Sequence, residues 1–207
     1  MSTIEGPAGA SGGGAAQARP GPHRGAANGV WGMALFMAAE VALFGTLLGS
    51  YFYLNTVDRH WPPAGIQPPR VLLPLLVTGL LLATLLPVNL AVRASRRGEG
   101  RRTVVALCAA LALQSGYLAC QILLLIHDLG QFSPQGSAYG SIYFTLLVVH
   151  HAHVAFGLAL ELMVIAMVAT KGLTRYWRIA VRNVGIYWNV VGALAVVVVL
   201  TQLSPSL

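Results

Sequence analysis

The sequence predicts an all-α protein: a polytopic membrane bundle of five transmembrane helices, N-terminus cytoplasmic and C-terminus outside. Three observations carry this. Of the 207 residues, 56% are hydrophobic and only 9% are charged, a composition outside the range of soluble domains. Windows of about 19 residues pick out five apolar runs, near 29–54, 71–92, 103–127, 139–170 and 180–201, each reaching the roughly 20 residues that cross a hydrocarbon core of about 30 Å. The basic residues then fix the count and the orientation. All of the 13 Lys and Arg except Arg59 and Arg70 lie before the first run (Arg19, Arg24), after the second (Arg93, Arg96, Arg97, Arg101, Arg102) or after the fourth (Lys171, Arg175, Arg178, Arg182). Five alternating spans put those three segments on one face, and a Lys/Arg excess beside span ends marks the cytoplasmic side. The same layout accounts for the net charge of +7 and excludes nucleic acid as a partner, because the clusters are short loops without interleaved aromatics.

The elements follow in order. Residues 1–28 are rich in Gly, Ala and Pro and are expected to form a disordered cytoplasmic tail; Glu5 and the glycines occupy the place an apolar signal-peptide core would need. The five-helix domain is then placed at 29–203. Its first span carries Ala38, Ala42, Gly45 and Gly49 on one stripe, where another helix is expected to pack closely. The prolines of the segment 55–69 forbid a helix there, and Trp61 suits a membrane interface. The second span contains Pro87 near its inner end. The third holds Gln114, Ser115 and Gln121, amides and a hydroxyl of the kind that bond across helices. It also holds Cys108 and Cys120, about 18 Å apart along one helix and read as packing residues. The fourth exceeds the bilayer thickness. The fifth opens with Tyr187-Trp188-Asn189 and continues as Val, Ala and Leu.

Polar groups inside these spans are the functional candidates. Glu40 sits mid-span in an apolar run, where a charged carboxylate costs roughly 2.5–3.5 kcal/mol on insertion scales. His150, His153, Gly157 and Glu161 recur at spacings of three and four, so they share a helix face, while His151 points elsewhere. By helical rise Glu40 lies about 16 Å from the inner end of its span and Glu161 about 13 Å from its own, at similar height. A cytochrome-b-like haem would want axial histidines on facing helices, whereas the mid-membrane histidines here share one helix. A metal held by His150, His153 and a carboxylate fits the spacing, but hydrogen-bonded packing is the commoner use of such residues, and no metal site is assigned. Two uses of the carboxylates stay open: a Glu–His or Glu–Gln network that sets helix register, or proton handling. No nucleophile with its base and no phosphate loop is present, so no catalytic residue is assigned.

Taken together, the motifs resemble subunit III of the haem-copper respiratory oxidases, in a five-helix form lacking the two N-terminal helices of the longer version. They are Trp31-Gly-Met with Phe36, Glu40, Phe44 and Tyr51-Phe52-Tyr53; Trp61-Pro62-Pro63-Ala-Gly65-Ile66; Tyr139-Gly140-Ser141 with Tyr143-Phe144; His150, His153-Val154 and Gly157; and Tyr187-Trp188. The resemblance implies a non-catalytic subunit that binds no haem or copper. It would sit beside catalytic subunit I and subunit II of a cytochrome c or quinol oxidase, which would carry the haem and copper, in a bacterial plasma membrane. It further implies support of turnover, proton supply and lipid or oxygen access. Glu40, His150 and His153 match the family's intramembrane glutamate and histidine pair; Glu161 joins them on its face. Trp31, Tyr53, Trp61, Tyr187 and Trp188 are expected as aromatics of the interface or of the family's phospholipid-holding cleft. The chain departs from the family pattern at Asn189 and Gly192, at Leu124-Leu125 and at Leu147-Val148, which fits a divergent branch, including one attached to a nitric-oxide-reductase-like complex. A stand-alone transporter or channel lined by Glu40 and Glu161 is the alternative from another class; the absence of inverted repeats argues against it.

Overall fold

A computed structural model describes residues 25–206 apart from 59 and 67–70; most of the expected tail lies outside them. Five helices follow in order, α1 (Gly25–Val57), α2 (Leu72–Arg96), α3 (Gly100–Gln131), α4 (Ala138–Lys171) and α5 (Arg175–Leu203), closed by a short 3₁₀ turn at Ser204–Ser206. All five are long and apolar enough to cross a membrane, and the described residues contain no strand. Every predicted span coincides with one of them, the second starting one residue before α2, but the helices run further than hydropathy alone indicates. Several of their ends are polar, and α4 and α5 are capped by side chains, features to which an apolar window is blind. Ser137 accepts a hydrogen bond from the Gly140 N–H at 3.0 Å to open α4, and Thr174 accepts one from Trp177 to open α5; such caps satisfy the free amides of a first turn. Gly98 (φ +78°) and Gly172 (φ +73°) make the tight α2–α3 and α4–α5 connections in a left-handed conformation that other residues avoid. Pro87 is accommodated within α2, which continues to Arg96.

Helices α2, α3, α4 and α5 close a ring in which each packs on its two neighbours, and α1 leans on α4 and α5 from outside, with no close backbone approach to α2 or α3 among the described residues. Small residues let the ring close. A Cβ at Gly157 on α4 would lie 2.7 Å from the Tyr187 ring and 2.9 Å from the Trp188 ring of α5; at Gly185 on α5 it would meet the Val92 side chain of α2 at 2.5 Å. In lipid, where apolar burial no longer drives helices together, this close packing is the main source of cohesion.

The stripe of Ala38, Ala42, Gly45 and Gly49 does not receive a helix of this chain. All four are exposed, and a Cβ at either glycine would meet nothing within 4 Å. The opposite face of α1 is the one that packs, because its bulky and polar groups, Phe36, Glu40, Phe44 and Tyr51, all find partners there. Cys108 and Cys120 are likewise exposed on α3 rather than packed within the ring.

At the end opposite the basic loops, aromatic side chains cap the bundle. The indole N–H of Trp61 donates to the Tyr51 hydroxyl at 3.1 Å, and its ring stands edge-on to Tyr139, centroids 5.0 Å apart. Tyr143 donates to Asp128 at 2.8 Å. Trp61 is therefore a half-buried strut holding the α1–α2 connection, not a free interfacial anchor. Trp31 and Tyr53 do stand exposed, near opposite ends of α1.

Candidate functional site

Glu40 of α1 finds its partner on α4: a carboxylate oxygen and His153 Nε2 share a hydrogen bond. The other ring nitrogen fixes the chemistry. His153 Nδ1 lies 2.6 Å from the carbonyl oxygen of Val149, one turn back. A carbonyl only accepts, so Nδ1 carries a hydrogen. The bond from Nε2 to Glu40 then requires one proton between them, either on the ring facing a carboxylate or on the acid facing a neutral ring. In both forms the pair is neutral overall and holds a single transferable proton. The two side chains are only 13% and 15% exposed, so the pair is largely desolvated and neutrality is favoured.

The surroundings hold this geometry. The Phe44 ring lies edge-on to His153 at 5.2 Å. The Tyr187 hydroxyl of α5 donates to the His153 backbone oxygen at 2.7 Å, and Phe36 stacks on the Tyr187 ring. Three helices thus meet at one hydrogen-bonded point. Tyr187 and Trp188, expected at an interface or cleft, are instead fully buried between α4 and α5, because Gly157 opens the space their rings fill.

The face predicted to gather His150, His153 and Glu161 is divided among three neighbours. At 3.6 residues per turn these three spread over about 80° of the helix circumference, enough for adjacent helices to claim different members. His150 turns to α3: Gln121 donates to the Tyr117 hydroxyl at 3.0 Å, and that hydroxyl lies 3.1 Å from His150 Nε2. The phenol accepts from the amide and shares its other hydrogen bond with the His150 ring, whose Nδ1 is buried without a partner. Of the expected cross-helix amides, Gln121 thus bonds within α3, Ser115 is exposed, and Gln114 is buried without a partner. His151, on a different face of α4, is also buried, its ring centroid 6.0 Å from that of His150.

Glu161 is fully enclosed, and neither of its oxygens reaches a hydrogen-bond partner. The indole N–H of Trp188 is close enough to act on the carboxyl, yet it falls outside hydrogen-bond geometry. The expected match in depth between Glu40 and Glu161 does not hold. Glu40 stands at the level of His153, eight residues and about 12 Å along α4 from Glu161. Rise along separate helices estimates depth only if both spans start at the same plane, and α1 and α4 overrun their apolar segments by different lengths. Tyr117, the link between α3 and α4, escaped the sequence reading although it lies four residues before Gln121 and so shares its face. Among the described residues, no group of three His, Cys, Asp or Glu is placed to hold a metal.

Replacing Tyr117 with Phe tests the second network. It leaves the Gln121 amide and His150 Nε2 without their shared partner. Interhelical hydrogen bonds in membrane proteins are worth about 0.6–1.7 kcal/mol, so a loss of that size in thermal or denaturant stability is expected, with the Glu40–His153 pair intact. Unchanged stability would mean that Tyr117 and His150 are not bonded.

Comparison with known proteins places these features. The family model of cytochrome c oxidase subunit III matches residues 20–202. The chain is 27% identical over 164 residues to quinol oxidase subunit 3 of Bacillus spizizenii, covering 77% of this chain and 78% of that one. It is 25% identical over 168 residues to the cytochrome bo(3) ubiquinol oxidase subunit 3 of Pseudomonas aeruginosa, covering 81% and 80%. With cytochrome c oxidase subunit 3 of Papio hamadryas it shares 29% identity over 133 residues, 61% of this chain and 50% of that one.

Proposed function

The chain belongs to the cytochrome c oxidase subunit III family, and from that membership we propose that it is the accessory third subunit of a bacterial haem-copper terminal oxidase. It is a membrane protein of a multi-subunit oxidase complex. In the proposed assembly catalytic subunit I and subunit II hold the haem and copper and carry out electron transfer to oxygen, while this chain holds neither. Its place is the plasma membrane, with the N-terminus and the basic connections at the cytoplasmic face, a reading supported by the Lys and Arg distribution. The Glu40–His153 pair supports turnover of the catalytic partner as a neutral one-proton store within the membrane. Three-helix clamping of His153 and the need for one proton in its bond to Glu40 support that role; Tyr117, His150 and Glu161 serve helix packing.

The observation that carries the reading is the family match along nearly the whole chain. The test is purification of the native complex through an affinity tag on this protein, with mass-spectrometric identification of partners and optical spectra of the haems. Co-purification of a haem-copper catalytic subunit, with oxygen uptake impaired when the gene is deleted, is the expected result. A preparation without any such subunit overturns the proposal. Steady proton flux through liposomes containing this chain alone would assign it instead to transport.

A further inference from the structure

The interior of the α2–α5 ring carries polar groups that no protein atom answers. Glu161 is fully enclosed with both carboxyl oxygens unbonded, and the Trp188 indole N–H, both ends of the Gln114 amide and His150 Nδ1 are likewise buried and unbonded. They follow the inner seams of the ring. On α3 the buried positions Leu107, Ala110, Gln114 and Tyr117 recur at three and four; on α4 Val154, Gly157, Glu161 and Val164 do the same. The Tyr117–His150 contact sets the level of these two antiparallel helices. Toward the basic end, Gln114 lies about 4.5 Å beyond Tyr117 and Glu161 about 16 Å beyond His150. Trp188 stands between Gln114 and Glu161, its ring against Gly157, one turn from Glu161.

The site admits Glu161 only as the neutral acid. Among the described residues no Lys or Arg is buried, and the ion pairs are Arg102–Glu99 and His153–Glu40. A charged Glu161 would have no counter-ion, at a cost on the order of tens of kcal/mol in a dry interior. A neutral carboxyl brings an O–H that needs an acceptor, and the indole brings a donor only. The Trp188 N–H falls outside bonding geometry to the carboxyl, but one water oxygen can accept from both groups. Gln114 offers donors and acceptors for the next molecule, and His150 Nδ1 ends the series. The polarity is one-sided. Toward the basic end, Leu107, Val164, Val168, Val181 and Val184 fill the ring with apolar side chains; toward the aromatic end stand Gln114, Tyr117, His150 and Gln121.

We propose that Glu161 is a second protonatable site, separate from the Glu40–His153 pair, reached from the aromatic end through a short file of enclosed water that runs from His150 past Gln114 and Trp188. The ligand of this site is water, and the group it serves exchanges a proton with it. This role goes beyond helix packing and requires no oxidase partner.

The test is infrared spectroscopy of the full-length chain in nanodiscs. In each background, subtraction of the matching Glu161→Gln spectrum isolates the Glu161 band. The expected band is the C=O stretch of a protonated acid, and on transfer to D2O it shifts as fast as the loop amides exchange, ahead of the protected helix amides. Gln114→Leu breaks no hydrogen bond to protein, so the bundle should form, and its apolar side chain interrupts the file. It is expected to slow the shift about tenfold, the equivalent of one buried hydrogen bond. Trp188→Phe keeps a ring against Gly157 and removes the N–H; it should move the C=O frequency of Glu161. A carboxylate band in place of the acid band overturns the proposal. So does a shift in D2O that waits for the protected helix amides, an unchanged rate in Gln114→Leu, which would place the water entry at the basic end, or an unmoved band in Trp188→Phe. None of these readouts uses oxygen turnover, so they stand apart from the test of the accessory role.

Discussion

Replacement of Trp188 by alanine is expected to destabilise the bundle by about 3–5 kcal/mol, the range for truncating a fully buried large aromatic residue. Trp188 has no exposed surface. Its ring lies against the Gly157 backbone of α4, where a Cβ would come within 2.9 Å, and the Trp188→Ala change removes contacts from both sides of the α4–α5 seam. Neighbouring helices in lipid gain little from solvent exclusion, so lost van der Waals contact dominates the cost. The glycine and the tryptophan are one feature seen from two helices, which yields a sharper check. Trp188→Ala combined with Gly157→Leu refills part of the void, and the double variant should be more stable than Trp188→Ala alone although Gly157→Leu by itself is disruptive. Such a sign reversal is the mark of direct coupling. Thermal unfolding of the purified complex measures both; additive losses would show that the two residues do not share a space.

Glu40→Leu is expected to cost about 1–3 kcal/mol, because it leaves His153 Nε2 without a partner in a largely buried site. Glu40→Gln behaves differently. Its amide donates to the neutral His153 ring, whose Nδ1 hydrogen still goes to Val149, so the α1–α4 link survives with no transferable proton in it. Under the one-proton role, Glu40→Gln leaves the yield and thermal stability of the complex near those of the unaltered protein while lowering sustained oxygen turnover or hastening inactivation during turnover. If Glu40→Gln matches the unaltered protein in turnover as well, Glu40 holds helices in place and nothing more. The comparison of Gln with Leu at one position separates the two roles that sequence alone left open.

Much of the architecture was legible without coordinates. Five apolar runs at bilayer length and one-sided basic loops depend on composition over long windows, which is robust to any detail of packing. Glu40 and His153 also stood out, since a polar group in an apolar span is conspicuous wherever it sits. Pairing was not legible. The shared face of His150, His153 and Glu161 is real in angular terms, yet α3 claims His150, α1 claims His153 and α5 borders Glu161. Which neighbour lies at which angle is a property of the ring, not of α4. The small-residue stripe of α1 shows the same thing from the other side: its spacing permits close packing, but α1 turns Phe36, Glu40, Phe44 and Tyr51 toward α4 and α5, and the stripe faces outward.

By itself, the sequence determined a five-span membrane bundle, its basic end and the membership that the motifs of Trp31, Glu40, His153 and Tyr187-Trp188 announced. The tertiary structure alone decided that Glu40 meets His153 two turns away from Glu161, that Val149 sets the tautomer of that histidine, and that α1 leans on α4 and α5 rather than on α2. The physical reason is range. Hydropathy and charge act through the solvent and are written locally along the chain, whereas a hydrogen bond or a ring against a glycine is decided within about 3–4 Å by residues remote in sequence.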